Sequence, residues 1–259
     1  MAKPLHRARV AQVRHDLPGV VSIDVEPGDL PARDSVDDHV KIVLPPPGAP
    51  WSTPMPDPLP QDAPAALLRT YTRRRVGADG SWGIDVLLLD HDGPGRRWAL
   101  GARPGDPIDV RGPGGHFAMP EHPGTVWMVG DEVAMPAIAN ALEALPADAH
   151  AEVVLVRGAV DYPLPHHDGA RITRVEPSAS GSTLVDAVRA LPTPTGDLWA
   201  FVHGQAAMVR PLRHHLRVER GLPRDRVLLS AYWFAGRDAD DWRRIKPAFV
   251  ASMEAESGD

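Results

Sequence analysis

The sequence predicts two units of different fold class: an antiparallel β-barrel over residues 1–121, then an α/β unit with a parallel sheet over residues 122–259. Three observations support this. The length of 259 residues exceeds the ~100 to 200 residues of an ordinary domain. Apolar residues recur with a period of two in the first half, whereas strand-like and helix-like segments alternate in the second.

Five segments of the first half are predicted strands. They lie at 20–25, 40–44, 68–76, 84–89 and 108–110, separated by glycine, proline and aspartate. Short strands joined by turns at this density are typical of a small barrel. Residues 45–64, "PPPGAPWSTPMPDPLPQDAP", interrupt the series. Because proline lacks the N–H that helices and sheets require, we predict an irregular, disordered surface excursion there.

The second half alternates strands with helices. Predicted strands lie at 126–129, 153–156, 172–175, 198–202 and 227–233, and predicted helices at 136–145, 183–191 and 206–219. This order favours a parallel sheet with helices on both faces, where ligands bind beyond the carboxyl ends of strands. The residues at three of those ends are Gly130-Asp131-Glu132, His203-Gly204-Gln205 and Tyr232-Trp233.

The last segment carries an apolar stripe at helical spacing. Its members are Trp242, Ile245, Phe249 and Met253, which we predict to contact the core. Pro247 is predicted to interrupt this helix or to begin a second one. Arg243, Arg244 and Lys246 then fall on its polar side.

Composition excludes several classes of function. The chain has no cysteine, which removes disulfides, thiolate metal sites and cysteine nucleophiles, and its net charge of -6 argues against a nucleic-acid surface. With no secretory signal or membrane-spanning run, we expect a cytoplasmic protein.

Adjacent histidines at 166–167 and 214–215 point to different sides of an element, so we predict solvent-exposed surface and no metal site. Hydrolase and nucleotide-kinase motifs are also missing, which leaves redox chemistry or binding.

The stretch "RTYTRRR", residues 69–75, places four arginines in an acidic chain. In a strand, Arg69, Tyr71 and Arg73 share one face. A tyrosine between two guanidiniums can stack on a planar ring while arginine binds a phosphate bidentately. The alternative is an exposed edge strand whose charges discourage aggregation.

Several motifs, in this order, resemble the siderophore-interacting protein family of flavin-dependent ferric-siderophore reductases. They are "DDHVKIVLP" (37–45), "RTYTRR" (69–74), "DGPGRRWAL" (92–100), "PGDPIDVRGPGGHF" (104–117), "GDEVAMPAI" (130–138), "VRPLRHHLRVERGLPRDRV" (209–227) and "YWFAG" (232–236). The resemblance covers most of the chain apart from residues 45–64 and the far end. It implies a ferredoxin-reductase-like flavoprotein: a FAD-binding barrel followed by a nicotinamide-nucleotide-binding domain.

The resemblance also implies site residues. Those matched to FAD are Arg69, Tyr71, Thr72, His91, Gly93, Pro94, Trp98 and Ala99, where His91 fits only with a shift of register. Asp131, Glu132 and Ala134 are expected close to the flavin, and Gly204, Tyr232 and Trp233 at the nicotinamide nucleotide. Lys41, Arg243 and Lys246 match a basic pocket for an anionic ferric siderophore.

The implied activity is reduction of a ferric siderophore by NADH or NADPH through FAD, with release of Fe(II) in iron transport. We expect a monomer that binds neither nucleic acid nor membrane, with ferredoxin as an alternative donor. Val133, Gln205 and Phe234 depart from the family pattern. Two alternatives therefore stay open: a general flavin reductase or diaphorase, and a non-catalytic flavin or siderophore carrier with a decayed nucleotide site.

Overall fold

The structure, a computed structural model, describes residues 4–31, 35–59, 63–90 and 92–258. The chain divides into two compact units, the first ending at Ala118 and the second beginning at Met119. Among the described residues, no helix combines the length and apolar character that crossing a lipid bilayer requires.

The first unit is a closed six-stranded barrel. Its strands are β1 (Leu5–Arg14), β2 (Val20–Val25), β3 (His39–Leu44), β4 (Leu67–Val76), β5 (Trp82–Leu87) and β6 (Pro107–Gly114), in the order β1-β2-β5-β4-β3-β6. All neighbouring strands of the barrel are antiparallel, which confirms the predicted fold class. Helix α1 (Pro94–Gly101) connects β5 to β6.

Alternation along the strands places apolar side chains inside the barrel. Ile23, Ile42, Ile84 and Val110 belong to one buried cluster, and Ala99 of α1 is fully buried in the same cluster. Because successive side chains of a strand point to opposite faces, Lys41 and Arg111 lie on the outer face. The helix is therefore part of the barrel core, and the polar residues of β3 and β6 are carried outside it.

The proline-rich segment, called the strap here, runs between β3 and β4. It contains no helix or strand in its described part, as predicted, but the expectation of disorder is wrong. Trp51 and Met55 are buried against Val43 of β3, and Leu5 and Leu68 pack around them. A large aromatic and a flexible thioether bury enough apolar surface to fix a segment whose backbone cannot join a sheet.

The second unit contains a five-stranded parallel sheet. Its strands are β7 (Thr125–Gly130), β8 (His150–Val156), β9 (Ala170–Val175), β10 (Leu198–Gln205) and β11 (Val227–Trp233), in the order β11-β10-β7-β8-β9. The helices are α2 (Met135–Glu143), α3 (Ser182–Arg189), α4 (Ala206–His214), which continues as a π-helical turn (His215–Glu219), and α5 (Ala239–Ser257). Trp127 and Val129 pack with α3 and α4, whereas Gly130 on the opposite face lies against Ala134 and Ile138. Helices thus cover both faces, as predicted.

Helix α5 corrects one prediction. It runs unbroken through Pro247, although proline removes one backbone hydrogen bond and crowds the preceding turn. Trp242 and Met253 are buried in the same core on either side of this proline, with Phe249 packed beside them. Anchoring at both ends outweighs the local cost of the proline, and the predicted apolar stripe is confirmed.

Candidate functional site

Arg69 and Tyr71 lie on β4 against the first turn of α1. A Cβ added to Gly95 would collide with the Tyr71 hydroxyl and would lie 3.3 Å from Cγ of Arg69. Only glycine lets the helix backbone come this close to the strand. The helix begins after Gly93 with Pro94 in its first turn, and neither a capping side chain nor an acidic residue occupies that turn. Its first amide groups therefore lie close to the Arg69 side chain, and no acidic residue of the helix itself faces them.

Tyr71 is a neutral phenol near physiological pH. Burial raises its pKa to about 12, although the positive charge of Arg69 lowers it in part. Its ring centroid is 6.3 Å from that of Trp98, with an angle of 31° between the planes. The Tyr71 hydroxyl thus keeps its proton and can donate a hydrogen bond.

Arg73 and Arg75 form ion pairs with carboxylates of the barrel. Arg73 is 2% exposed; its guanidinium lies 2.5 Å from a carboxylate oxygen of Asp38 and donates to the carbonyl of Pro31. Arg75 pairs with Asp24 at 2.8 Å and with Asp85 at 2.6 Å. A register shift between Arg73 and Arg75 breaks the simple alternation of β4. Of the four arginines, these two are structural.

Thr72 belongs to a polar outer face made by β4, β3 and β6. The register pairs His39 with Thr72 and with Gly114, and pairs Lys41 with Thr70 and with Arg111. No salt bridge of Lys41 occurs within the described residues, and its side chain is partly buried. Arg111, which sequence reasoning did not assign, becomes visible only through this register. His91 lies outside the described residues.

Asp131 joins the carboxyl ends of three strands of the second unit. It follows β7, and its Oδ2 accepts from the Gln205 amide at the end of β10 and from the Trp233 indole of β11, both at 2.8 Å. Its Oδ1 accepts from the Val133 amide at 3.2 Å. Burial raises the pKa of Asp131 to about 6, although these hydrogen bonds act in the opposite direction. The carboxylate fixes the Trp233 ring relative to β10.

Gly204 and Glu132 complete this edge of the sheet. Gly204 has φ of +135°, and a Cβ there would collide with Met208 and lie 2.5 Å from Oδ2 of Asp131. Glu132 accepts from the Ala159 amide at 2.9 Å and so holds the loop after β8. Ala134 is fully buried. The backbone of Gly204 therefore packs against Asp131 as no other residue could.

Tyr232 lies beside His203 at the same edge. Their ring centroids are 4.9 Å apart and the rings are stacked. One of the three departures from the family pattern, Phe234, has a packing role. Its ring packs on Trp242 and Phe249, whose ring centroids are 5.7 Å and 6.4 Å away. Phe234 thus belongs to the contact between β11 and α5.

The predicted cations of α5 are bound within the second unit. Arg243 forms an ion pair with Asp240 in the preceding turn. Nζ of Lys246 donates to the Ser230 hydroxyl at 3.2 Å. Both side chains are therefore bound by residues of the second unit. Lys41, by contrast, has no carboxylate partner within the described part of the chain.

The histidine pairs need one correction. His166 is exposed as predicted, but His215 is buried, with Nδ1 2.6 Å from Glu219 and Nε2 accepting from Arg220 at 2.8 Å. Arg220 also lies over the Trp127 ring, 4.5 Å from its centroid. Across residues 4–31, 35–59, 63–90 and 92–258, no group of three or more metal-binding side chains comes together.

Two family models match the chain. A siderophore-interacting FAD-binding domain matches residues 10–117, and a siderophore-interacting protein model matches residues 123–236. The chain belongs to the siderophore-interacting protein family. This confirms the resemblance and gives the chain a FAD-binding barrel and a siderophore-associated flavoprotein role in iron transport.

Relatives agree with this assignment. An uncharacterised protein of Mycobacterium tuberculosis is 32% identical over 99% of this chain and 98% of the relative. The ferric vibriobactin reductase of Vibrio cholerae is 31% identical over 66% of each chain.

Solved structures share the fold. The siderophore-interacting protein of Aeromonas hydrophila has a TM-score of 0.82 and 26% identity, covering 96% of this chain and 99% of that one. A ferredoxin reductase from a carbazole dioxygenase system has a TM-score of 0.61 and 19% identity, covering 88% of this chain and 69% of that one, and supports the ferredoxin-reductase-like fold alone.

Proposed function

We propose that this protein is an NAD(P)H-dependent FAD flavoprotein that reduces ferric siderophores in the cytoplasm and releases Fe(II). The observation that carries the proposal is the close approach of α1 to Arg69 and Tyr71 at Gly95, within the matched FAD-binding domain. Reductase activity on a ferric chelate is named for the Vibrio cholerae relative. Fe(II) binds hard oxygen ligands less tightly than Fe(III), so reduction favours release.

The barrel residues fit FAD. Arg69 and the first-turn amides of α1 supply positive charge and donors for the pyrophosphate, with Gly93 and Pro94 at the helix start. Tyr71 offers a neutral aromatic ring, and Thr72 adds a hydroxyl on the adjoining face. Trp98 packs beside Tyr71, and Ala99 anchors α1 in the barrel. When bound, FAD would supply the redox chemistry: acceptance of a hydride and delivery of single electrons.

The edge of the parallel sheet is the proposed nicotinamide-nucleotide site. Ligands of such sheets bind beyond the carboxyl ends of strands, where Gly204, Tyr232 and Trp233 stand. Asp131 acts there as a positioning residue, since its oxygens are taken by Trp233, Gln205 and Val133. Glu132 and Ala134 shape the turn after β7. NADH or NADPH is the proposed donor, with ferredoxin as the alternative.

Lys41 is the favoured cation for the siderophore. It lies on the outer face beside Arg111 and Thr70, and a ferric siderophore is commonly anionic. Arg243 and Lys246 are weaker candidates because Asp240 and Ser230 engage them.

The proposal is tested by following oxidation of the nucleotide with every acceptor and, where the acceptor is a ferric siderophore, by following Fe(II) with a ferrous-specific chelator. Protein reconstituted with FAD is given NADH or NADPH and then a ferric siderophore, free flavin or a quinone. Arg69→Ala should lose FAD, while Arg9→Ala, an exposed barrel arginine, should keep it. Preference for quinone or free flavin would support a diaphorase instead. Flavin that stays oxidised under anaerobic excess of both nucleotides would contradict nucleotide use.

A further inference from the structure

His39 is the first residue of β3, and a hydrogen bond orients its imidazole ring. Nδ1 lies 2.9 Å from the carbonyl oxygen of Asp37. Because a carbonyl oxygen only accepts hydrogen bonds, Nδ1 carries a proton, and Nε2 is the atom that gains and loses one. The ring lies over Gly114, where an added Cβ would collide with Nε2 and lie 2.5 Å from Cε1. The absence of a side chain on β6 therefore makes room for the imidazole.

The register sets His39 between two residues of the proposed site. Thr72 of β4 is the residue directly opposite His39, and Lys41 follows two positions later on the same face of β3. Directly paired residues of antiparallel strands have Cβ atoms about 4.5 to 5.5 Å apart. His39 thus adjoins both the hydroxyl proposed to face FAD and the cation proposed to bind the siderophore.

Reduction of a ferric siderophore creates a need for protons. Its iron-binding oxygens are deprotonated, and when Fe(III) becomes Fe(II) they bind the metal less strongly. An oxygen that leaves the iron is basic and must be protonated, or it will bind metal again. A histidine is the side chain best matched to this transfer near neutral pH.

We propose that His39 is the proton donor of the iron-release step, a role that rests on the proposed function. One electron from the reduced flavin converts Fe(III) to Fe(II). As the iron–oxygen bond breaks, the oxygen keeps its electron pair and takes the Nε2 proton of the His39 imidazolium, forming O–H. Neutral His39 then regains a proton from solvent. Before transfer, Nε2–H donates a hydrogen bond to the iron-bound oxygen.

Several charged groups lie near His39 in the sequence or on the neighbouring strands. Lys41 follows on β3, and Arg111 is the partner of Lys41 on β6. Asp37 and Asp38 precede β3; Asp38 pairs with Arg73, and Asp37 accepts from the His116 and Phe117 amides at 2.9 Å. Arg74 follows Thr72 on β4. The further histidine in this group, His116, has a side chain that is 76% exposed.

The decisive variant is His39→Gln, which keeps an N–H donor but cannot ionise. Its matched control is His116→Gln. FAD-loaded enzyme with saturating donor is assayed from about pH 5.5 to 8.5, a range that spans the titration of histidine. The acceptors are a ferric tris-hydroxamate and ferricyanide, which takes an electron without a proton.

We expect H39Q to lower kcat for the hydroxamate by about 100-fold near pH 6, with KM little changed and the pH dependence lost. Ferricyanide reduction should stay as in the wild type, and H116Q should behave as the wild type with both acceptors. Gly114→Ala, which displaces the ring without altering a titrating group, should reproduce the loss. An H39Q enzyme with wild-type kcat and pH profile, or one that loses FAD or ferricyanide activity, would overturn the proposal.

A binding measurement without turnover gives a second readout. A ferric tris-catecholate is added to oxidised enzyme with no donor, and its charge-transfer band is recorded against pH. After subtraction of the shift shown by the chelate without enzyme, a further shift should accompany the titration of His39 in the wild type and H116Q but not in H39Q; an identical further shift in H39Q would count against His39. Failure of the wild type to reduce ferricyanide would instead defeat the proposed function, so the two failures are distinct.

Discussion

Asp38 in the barrel and Asp131 in the α/β unit are both buried carboxylates, yet their partners differ in kind. Asp38 is 3% exposed and pairs with the guanidinium of Arg73. Asp131 is 7% exposed and, within the described part of the chain, accepts from neutral donors: the indole of Trp233 and two backbone amides. One charge is balanced by an opposite charge, and the other only by dipoles.

The difference shows what each arrangement can do. A full positive charge compensates a buried carboxylate but leaves both ions dependent on each other. Neutral donors compensate it incompletely, so burial still raises the pKa of Asp131 to about 6. The barrel therefore holds a fixed ion pair, whereas the α/β unit holds a group that titrates near physiological pH at the proposed nucleotide site.

Breaking the barrel pair should have the largest effect. Arg73→Met removes a guanidinium that lies 2.5 Å from the buried Asp38 carboxylate, which should lower the free energy of unfolding by about 3 to 5 kcal/mol. Urea unfolding of the isolated variant measures this. The double variant Arg73→Met/Asp38→Leu, which removes both charges, should recover much of the loss. A double variant no more stable than Arg73→Met would show that the cost is lost packing instead.

Asp131 should give an intermediate, pH-dependent effect. Its folded-state pKa of about 6 lies above the ordinary 3.8, so the stability it contributes is present below about pH 4 and lost as the pH rises through about 6. At 1.36 kcal/mol per pKa unit, a rise of about two units corresponds to about 3 kcal/mol. The difference in unfolding free energy between wild type and Asp131→Asn should fall by about that amount from about pH 4 to pH 7.

Trp233 reports the same titration optically, because its indole donates to Asp131. The fluorescence of the wild type should change with a midpoint near pH 6, and both Asp131→Asn and Trp233→Phe should abolish that change. A midpoint retained in Trp233→Phe would assign it to another tryptophan.

The smallest effect on stability is expected from an exposed ion pair on the parallel sheet. Arg171 of β9 binds Glu152 of β8 through two bonds of 2.9 Å and 3.0 Å, but its side chain is 64% exposed. Water and salt screen such pairs, so Arg171→Gln should leave the urea midpoint unchanged within error. A clear drop in the midpoint would mean that geometry outweighs exposure here.

Local pattern predicted most of the regular structure. Strands β2 to β6 and the parallel sheet follow from apolar periodicity, which is a property of neighbouring residues. Strand β1 was not predicted, because "LHRARVAQVR" carries three arginines and its buried residues do not alternate regularly with exposed ones. The pairing register of the strand also shifts near Val10. Helix α5 and the strap differ from their predictions, because Trp242, Met253 and Trp51 pack against residues far away in the sequence. This packing outweighs the local effect of proline.

The candidate site was predictable by residue type but not by partner. Arg69 and Tyr71 lie against α1, a helix that the sequence pattern did not predict, whereas Arg73 on the same predicted face is bound to Asp38, 35 positions away. Asp131 was matched to the flavin site by the resemblance, and its hydrogen bonds to residues 74 and 102 positions later could not be predicted. Pairings of this range depend on tertiary structure, which no local window of sequence contains.

The strap has a consequence for engineering. Strands β3 and β4 are antiparallel neighbours, so a tight turn would suffice to join them, and the chain topology does not require residues 45–66. The connection can therefore be exchanged for another peptide without rethreading the barrel, provided the replacement still covers Val43 as Trp51 and Met55 do. It is the natural place to insert a tag or a foreign loop into this scaffold.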